Sequence, residues 1–182
     1  MYGFYLGNLP LSGKVFCTLF LVGIGCGSLA AFTQAATAVG ISPAAVEASL
    51  TPEMPMTQMQ HGQMSAEKEI TLGQVSSAAR VWIRTPLLIQ TSHTHLFGQT
   101  LIAGLLGLIF LFTSLRESVK ALIVALPFVG TLVDIGGMWL TRFVWPPLSA
   151  LVIVGGSLFA IGYTLIALIS LWQLWLAKEA HP

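Results

Sequence analysis

The side chains of this sequence that could do chemistry include the cluster His93-Thr94-His95, followed by Gln99 and Thr100, and a later set of Asp134, Met138 and Arg142. A neutral imidazole can ligate haem iron, copper or zinc. A thioether suits the softer metals and is the second axial ligand beside histidine on the haem of cytochromes c. A carboxylate or amide near an imidazole can fix its orientation and raise its basicity. Asp134 lies in Leu132-Val133-Asp134-Ile135-Gly136, an apolar setting where a carboxylate needs a proton or a partner. The candidate partners are His95, Gln99 and Arg142. The plainer reading of Asp134 is a structural hydrogen bond holding two helices together.

The two histidines are two residues apart, which turns them about 200° from each other on a helix. His95 is expected to face the protein interior and His93 the loop or the lipid headgroups. The plainer reading of both is a histidine satisfied at a membrane boundary. A haem b bridged by two membrane histidines is excluded by count, since no other histidine lies in a long apolar stretch. His61, from a loop, or Met138, at the right depth, could supply the second ligand to His95.

A second concentration of donors is the string Met-Pro-Met-Thr-Gln-Met-Gln-His-Gly-Gln-Met, with Met54, Met56, Met59, His61 and Met64. Thioether sulfur favours Cu(I), and imidazole accepts copper in either state. The run resembles Met-rich copper-binding segments of exported proteins, by composition and over these residues only. The alternative is a flexible loop in which methionine is adaptable apolar filler.

Four long apolar stretches must position these groups. Of the 182 residues, 55% are hydrophobic and 8% charged, and the mean hydropathy is +0.82. Soluble domains carry about 25% charged residues, so most of this surface is built for lipid. The spans are expected at residues 14–38, 91–114, 121–143 and 148–176, each long enough for a hydrocarbon layer of about 30 Å. The predicted fold is an all-α integral membrane protein with four transmembrane helices, one outward-facing loop and a short interfacial amphipathic helix. Residues 1–38 form the N-terminal segment and first span, 39–90 an extracytoplasmic (periplasmic) loop, and 91–182 a three-helix membrane region.

Within the loop, Pro43, Pro52 and Pro55 predict irregular chain. Residues 65–83 instead show helical spacing of Ile70, Val75, Ala78, Val81 and Trp82, flanked by Arg80 and Arg84, as in a helix lying on a membrane surface. Gly23, Gly25, Gly27, Ala30 and Ala31 give the first span a small-residue side, and Gly155, Gly156, Ala160 and Gly162 give the fourth another. Pro127 and Gly136-Gly137 are expected bends in the third span. The first stretch can also be read as a secretory signal peptide cleaved at Ala36-Thr37-Ala38. Its apolar run is longer than such a peptide needs, so a retained helix is expected. Cys17 and Cys26 lie nine apart in that stretch, on nearly opposite faces, so no disulfide is expected between them.

Lys14, Arg116, Lys120 and Lys178 fall on one side of this layout, in short segments, and mark the cytoplasmic face. Lys68, Arg80, Arg84 and Arg142 fall on the other. The expected location is the bacterial inner membrane. Folding the second and third spans back about residue 117 puts residue 95 level with 139 and residue 100 level with 134. His93, His95, Gln99, Thr100, Asp134, Met138 and Arg142 therefore share the outer third of the bilayer.

A net charge of +1 offers no basic face for nucleic acid. No phosphate-binding Gly loop, HExxH, CxxC or GxSxG motif occurs. The expectation is a small accessory membrane subunit of an electron-transfer or metal-handling system, not a catalyst by itself, binding haem b or copper at an outer-face His/Met site. Its partners would be the lipid bilayer and other membrane or periplasmic redox subunits. The alternative is a cofactor-free assembly subunit that docks through its glycine-rich helix faces.

Overall fold

Apolar chain without water to satisfy its peptide groups must pair them internally, and in this sequence it does so as helices. The computed structural model describes residues 5–51 and 83–177. The Met/His run, His61 and nearly all of the expected surface helix lie outside the described residues. The elements are α1 (Leu11–Ala38), α2 (Pro43–Leu50), α3 (Thr85–Leu111), α4 (Glu117–Phe143) and α5 (Ser149–Trp175), with 3-10 turns at Leu6–Asn8 and Pro146–Leu148. No strand occurs among the described residues. Four helices, α1, α3, α4 and α5 (the last with its preceding turn), are long and apolar enough to cross a membrane.

The chain is irregular neither throughout 39–51 nor at Pro43, contrary to expectation. Proline is tolerated in the first helical turn, where its missing N–H has no helical partner to lose. Ser42 caps the turn by accepting from the Ala45 amide at 3.2 Å. Gly40, at φ +97°, makes the left-handed step from α1 into this cap. Pro86 plays the same first-turn role in α3, which therefore begins at Thr85 rather than 91.

Helices α4 and α5 form the tightest pair. Gly130 and Gly137 of α4 meet α5 backbone around Leu151, Val152, Gly155 and Phe159, while Gly155 and Gly162 of α5 meet α4 backbone around Asp134 and Pro127. Seven residues separate each pair, about two turns, so all four lie along one seam. In lipid, helices associate mainly by such close packing, because burying apolar surface gains little there. Helix α4 continues through Pro127 and Gly136-Gly137 without a break.

Helix α3 packs on this pair through the stripe Leu88, Ala103, Leu106, Gly107 and Phe110. Helix α1 is held mainly near its start. Cys17 and Leu21 are its buried residues, Trp175 Nε1 donates to Thr18 Oγ1 at 2.9 Å, and Lys14 sits 5.9 Å from the Trp175 ring. Of its small residues, Gly23 and Gly27 have no neighbour within 4 Å among the described residues; at Gly25 a Cβ would lie 3.4 Å from Tyr163 Oη. Cys17 and Cys26 are free thiols.

Toward the hairpin end the bundle encloses an apolar cluster that includes Leu21, Leu106, Phe110, Ile123 and Ile166. At the hairpin end, Lys120 Nζ donates to the Leu111 carbonyl at 3.2 Å and pairs with Glu117, a cation at the C-terminus of α3. Gln173 Oε1 accepts from the Ser114 amide at 2.8 Å. At the opposite, loop end, α2 lies across the bundle, and Val46 and Leu50 pack with Leu88, Met138, Val152 and Ile153.

Candidate functional site

The inward stripe of α3 carries three polar residues among its apolar ones. Stepping by threes and fours from Leu88 passes Ser92, His95 and Gln99 before Ala103, Leu106 and Phe110. His95 and Gln99 thus stand one turn apart on the face turned to α4. His93 is exposed on another side, its ring 4.8 Å from that of Phe97, and Thr100 is exposed as well.

Asp134 stands on the buried stripe of α4, between Thr131 and Gly137, and is 6% exposed. His95 Nδ1 lies 3.9 Å from Asp134 Oδ2. That is too long for a hydrogen bond and close enough for an ion pair when the ring is protonated. His95 Nδ1 and Gln99 Oε1 are both buried and have no hydrogen-bond partner among the described residues. The His95 side chain is 41% exposed overall, so its buried nitrogen edge faces Asp134 and the rest of the ring carries the exposure.

The depth register differs from the one expected. Asp134 is paired with residue 95, not level with residue 100, and Trp139 Nε1 donates to Ser92 Oγ at 2.8 Å. The hairpin folds about residues 114–115, because α3 ends at Leu111 and the tight connection runs only to Arg116. The shift is about one helical turn, and it brings His95 opposite the carboxylate.

Arg142 is directed elsewhere. It donates to the Leu50 carbonyl at the end of α2 and to Thr85 Oγ1 at 3.5 Å. The Ile83 amide donates to the Ser49 carbonyl at 2.9 Å, so the chain on either side of residues 52–82 is tied together at this end. Met138, one turn above Asp134, is partly buried in the apolar cluster under α2. Met54, Met56, Met59, His61 and Met64 lie outside the described residues. Among the described residues no three of His, Cys, Asp and Glu converge as a metal-binding group.

Two contacts escaped the reading of the sequence. Gly155 backs directly onto Asp134, and Trp139 reaches Ser92. The seven-residue spacing of Gly130 with Gly137 and of Gly155 with Gly162 was the available signal for the first.

Residues 85–181, more than half of the chain, match the Aq_1264_TM family, a transmembrane helical domain. The chain belongs to this family. The match opens at the first residue of α3 and takes in α3, α4 and α5, and with them His93, His95, Gln99, Asp134 and Met138. It leaves out α1, α2 and the Met/His run. No curated protein and no solved structure matches the chain. With its four apolar helices, the protein is an integral membrane protein in contact with the lipid bilayer.

Proposed function

We propose that this protein is a small membrane subunit of a redox or metal-handling system, with His95 as the ligand that attaches haem b or copper at the loop end. The supporting observation is the pairing of His95 Nδ1 with Asp134 Oδ2 at 3.9 Å. Ligating histidines commonly have the nitrogen not bound to metal directed at a carboxylate, which sets the ring's orientation and basicity. Gln99 Oε1, one turn from His95, is buried with no hydrogen-bond partner among the described residues, a buried acceptor that a group bound beside the ring would account for. One imidazole is a partial donor set. Met138, or the methionines and His61 of residues 52–82, would supply the remaining ligands. The bound group would supply one-electron chemistry or copper storage, while Asp134 and Gln99 hold the imidazole in place.

The test is the visible spectrum and copper content of the full-length chain purified from its native membrane. A Soret band, or about one copper per chain, is expected and is lost in His95→Ala. Asp134→Asn is expected to weaken binding by about 10–100-fold. Deleting residues 54–64 separates a copper site in the loop from one on His95. Protein carrying neither haem nor copper overturns the reading.

A second reading then stands, that of a cofactor-free assembly subunit. It is favoured by Gly23, Gly27, Gly104, Gly136 and Gly156, which have no neighbour within 4 Å among the described residues. Such faces admit another helix at close range.

A further inference from the structure

We infer that Gly155 is the positioning residue of the His95–Asp134 pair: its missing side chain lets Asp134 stand at the junction of α3, α4 and α5 with its carboxylate directed at His95. The inference rests on the proposed role of that pair. A Cβ added to Gly155 would lie 2.6 Å from Asp134 Cα, 2.8 Å from Asp134 Cβ and nearer still to the Asp134 amide nitrogen. Real Cβ atoms do not approach backbone this closely, and no flexible side-chain tip is available to move aside. Either α4 shifts away from α5 or Asp134 rotates about the helix axis.

Both movements change the reach of the carboxylate. The present separation of 3.9 Å is already at the outer limit of an ion pair, so a displacement of about 1 Å in either sense makes or breaks it. Other seam glycines do not share this position. Gly162 would place a Cβ 2.5 Å from Pro127 Cδ and 2.7 Å from Leu126 Cβ, a comparable overlap seven residues deeper and away from Asp134. Gly137 would place one 2.8 Å from Val152 N and 3.0 Å from Leu151 Cβ, a milder overlap one turn nearer the loop end. A Cβ added to Gly156, adjacent to Gly155, would meet nothing within 4 Å among the described residues.

The test reads the His95 ring itself, without any bound group. Full-length protein with 15N-labelled histidine is reconstituted in lipid nanodiscs, and the His95 imidazole signals are assigned by their loss in His95→Gln. Asp134→Asn is expected to displace these signals. Gly155→Ala should displace them by a large part of that amount, and Gly155→Ala/Asp134→Glu should return them toward the native position, because the longer acid restores the reach. Gly162→Ala should lower thermal stability as much as Gly155→Ala while leaving the His95 signals in place. Gly137→Ala should give a smaller displacement, and it carries the test if Gly155→Ala does not accumulate.

Native His95 signals in Gly155→Ala, or in Gly137→Ala where only that variant accumulates, overturn the inference. So does an equal displacement in Gly162→Ala, which would mark a general loosening of the bundle. Unmoved signals in Asp134→Asn overturn the pairing and the inference together. Absence of haem and copper from the native protein, with these shifts as expected, removes only the proposed cofactor.

Discussion

Arg142 ties three elements together, and its removal tests whether α2 is a fixed part of the loop end. The guanidinium donates to the Leu50 carbonyl, the last of α2, and to the Thr85 hydroxyl at the start of α3. Leu50 is 1% exposed, so its carbonyl has little water to replace a lost donor. A hydrogen bond from a charged group is worth about 1.5–3 kcal/mol, and leaving a buried acceptor unpaired costs a similar amount. The cation also faces the negative end of the short helix. At about 1.4 kcal/mol per factor of ten, Arg142→Ala should speed local opening of α2 by about 10–150-fold. Hydrogen exchange of the Pro43–Leu50 amides, followed by mass spectrometry in nanodiscs, measures this directly. Arg142→Lys should recover part of the protection, because one ammonium cannot hold both acceptors in the same fork geometry. Arg116→Ala, at the opposite end of α4, should leave α2 unchanged. Exchange of α2 within about twofold of the native rate in Arg142→Ala would show that the Val46 and Leu50 contacts hold the helix and that the hydrogen bond adds nothing.

Two further outcomes test the packing. Gln173→Leu removes the acceptor of the Ser114 amide at a position only 4% exposed, and should cost about 1–3 kcal/mol in thermal unfolding in detergent; an unchanged unfolding temperature would refute the role of this hydrogen bond. Gly137→Leu should sharply reduce folded yield because its Cβ alone meets the Val152 amide at 2.8 Å, while Gly136→Leu, with open space beside it, should leave yield near native; equal yields would refute the seam.

The gross fold was legible because each physical signal was long. Four apolar runs exceed the thickness of a bilayer, and the connection between α3 and α4 is too short for anything but an antiparallel pair. The placement of His95 inward and His93 outward follows from helical geometry, and the structure has them so. Local chemistry near the loop end was harder to read. Pro43 reads as a breaker from its proline-rich neighbourhood, whereas the Ser42 cap just before it turns it into a helix start. The register of α3 against α4 was misplaced by about one turn because it depends on where two helices stop, and helix ends in uniformly apolar sequence carry weak marks.

The glycines show why the environment of the site could not be read from the sequence. Gly136-Gly137 and Gly155-Gly156 are adjacent pairs with identical letters, yet one member of each meets backbone and the other faces open space. Which member is used depends on the rotation of each helix about its axis. On α4 the buried face gathers Lys120, Gly130, Thr131, Asp134, Gly137 and Thr141 while Leu122, Val129, Leu132 and Leu140 face outward, so the polar residues can fix that rotation. Asp134 does so, since a carboxylate there is costly anywhere but toward a partner. Once Asp134 turns to His95, Gly130 and Gly137 are carried to α5, and Gly155 is the residue of α5 that lies behind the acid. The pair that is proposed to serve function and the seam that holds the helices are therefore set by the same rotation. A change to either should be felt in the other, more strongly than in α1, which meets the bundle mainly near its start.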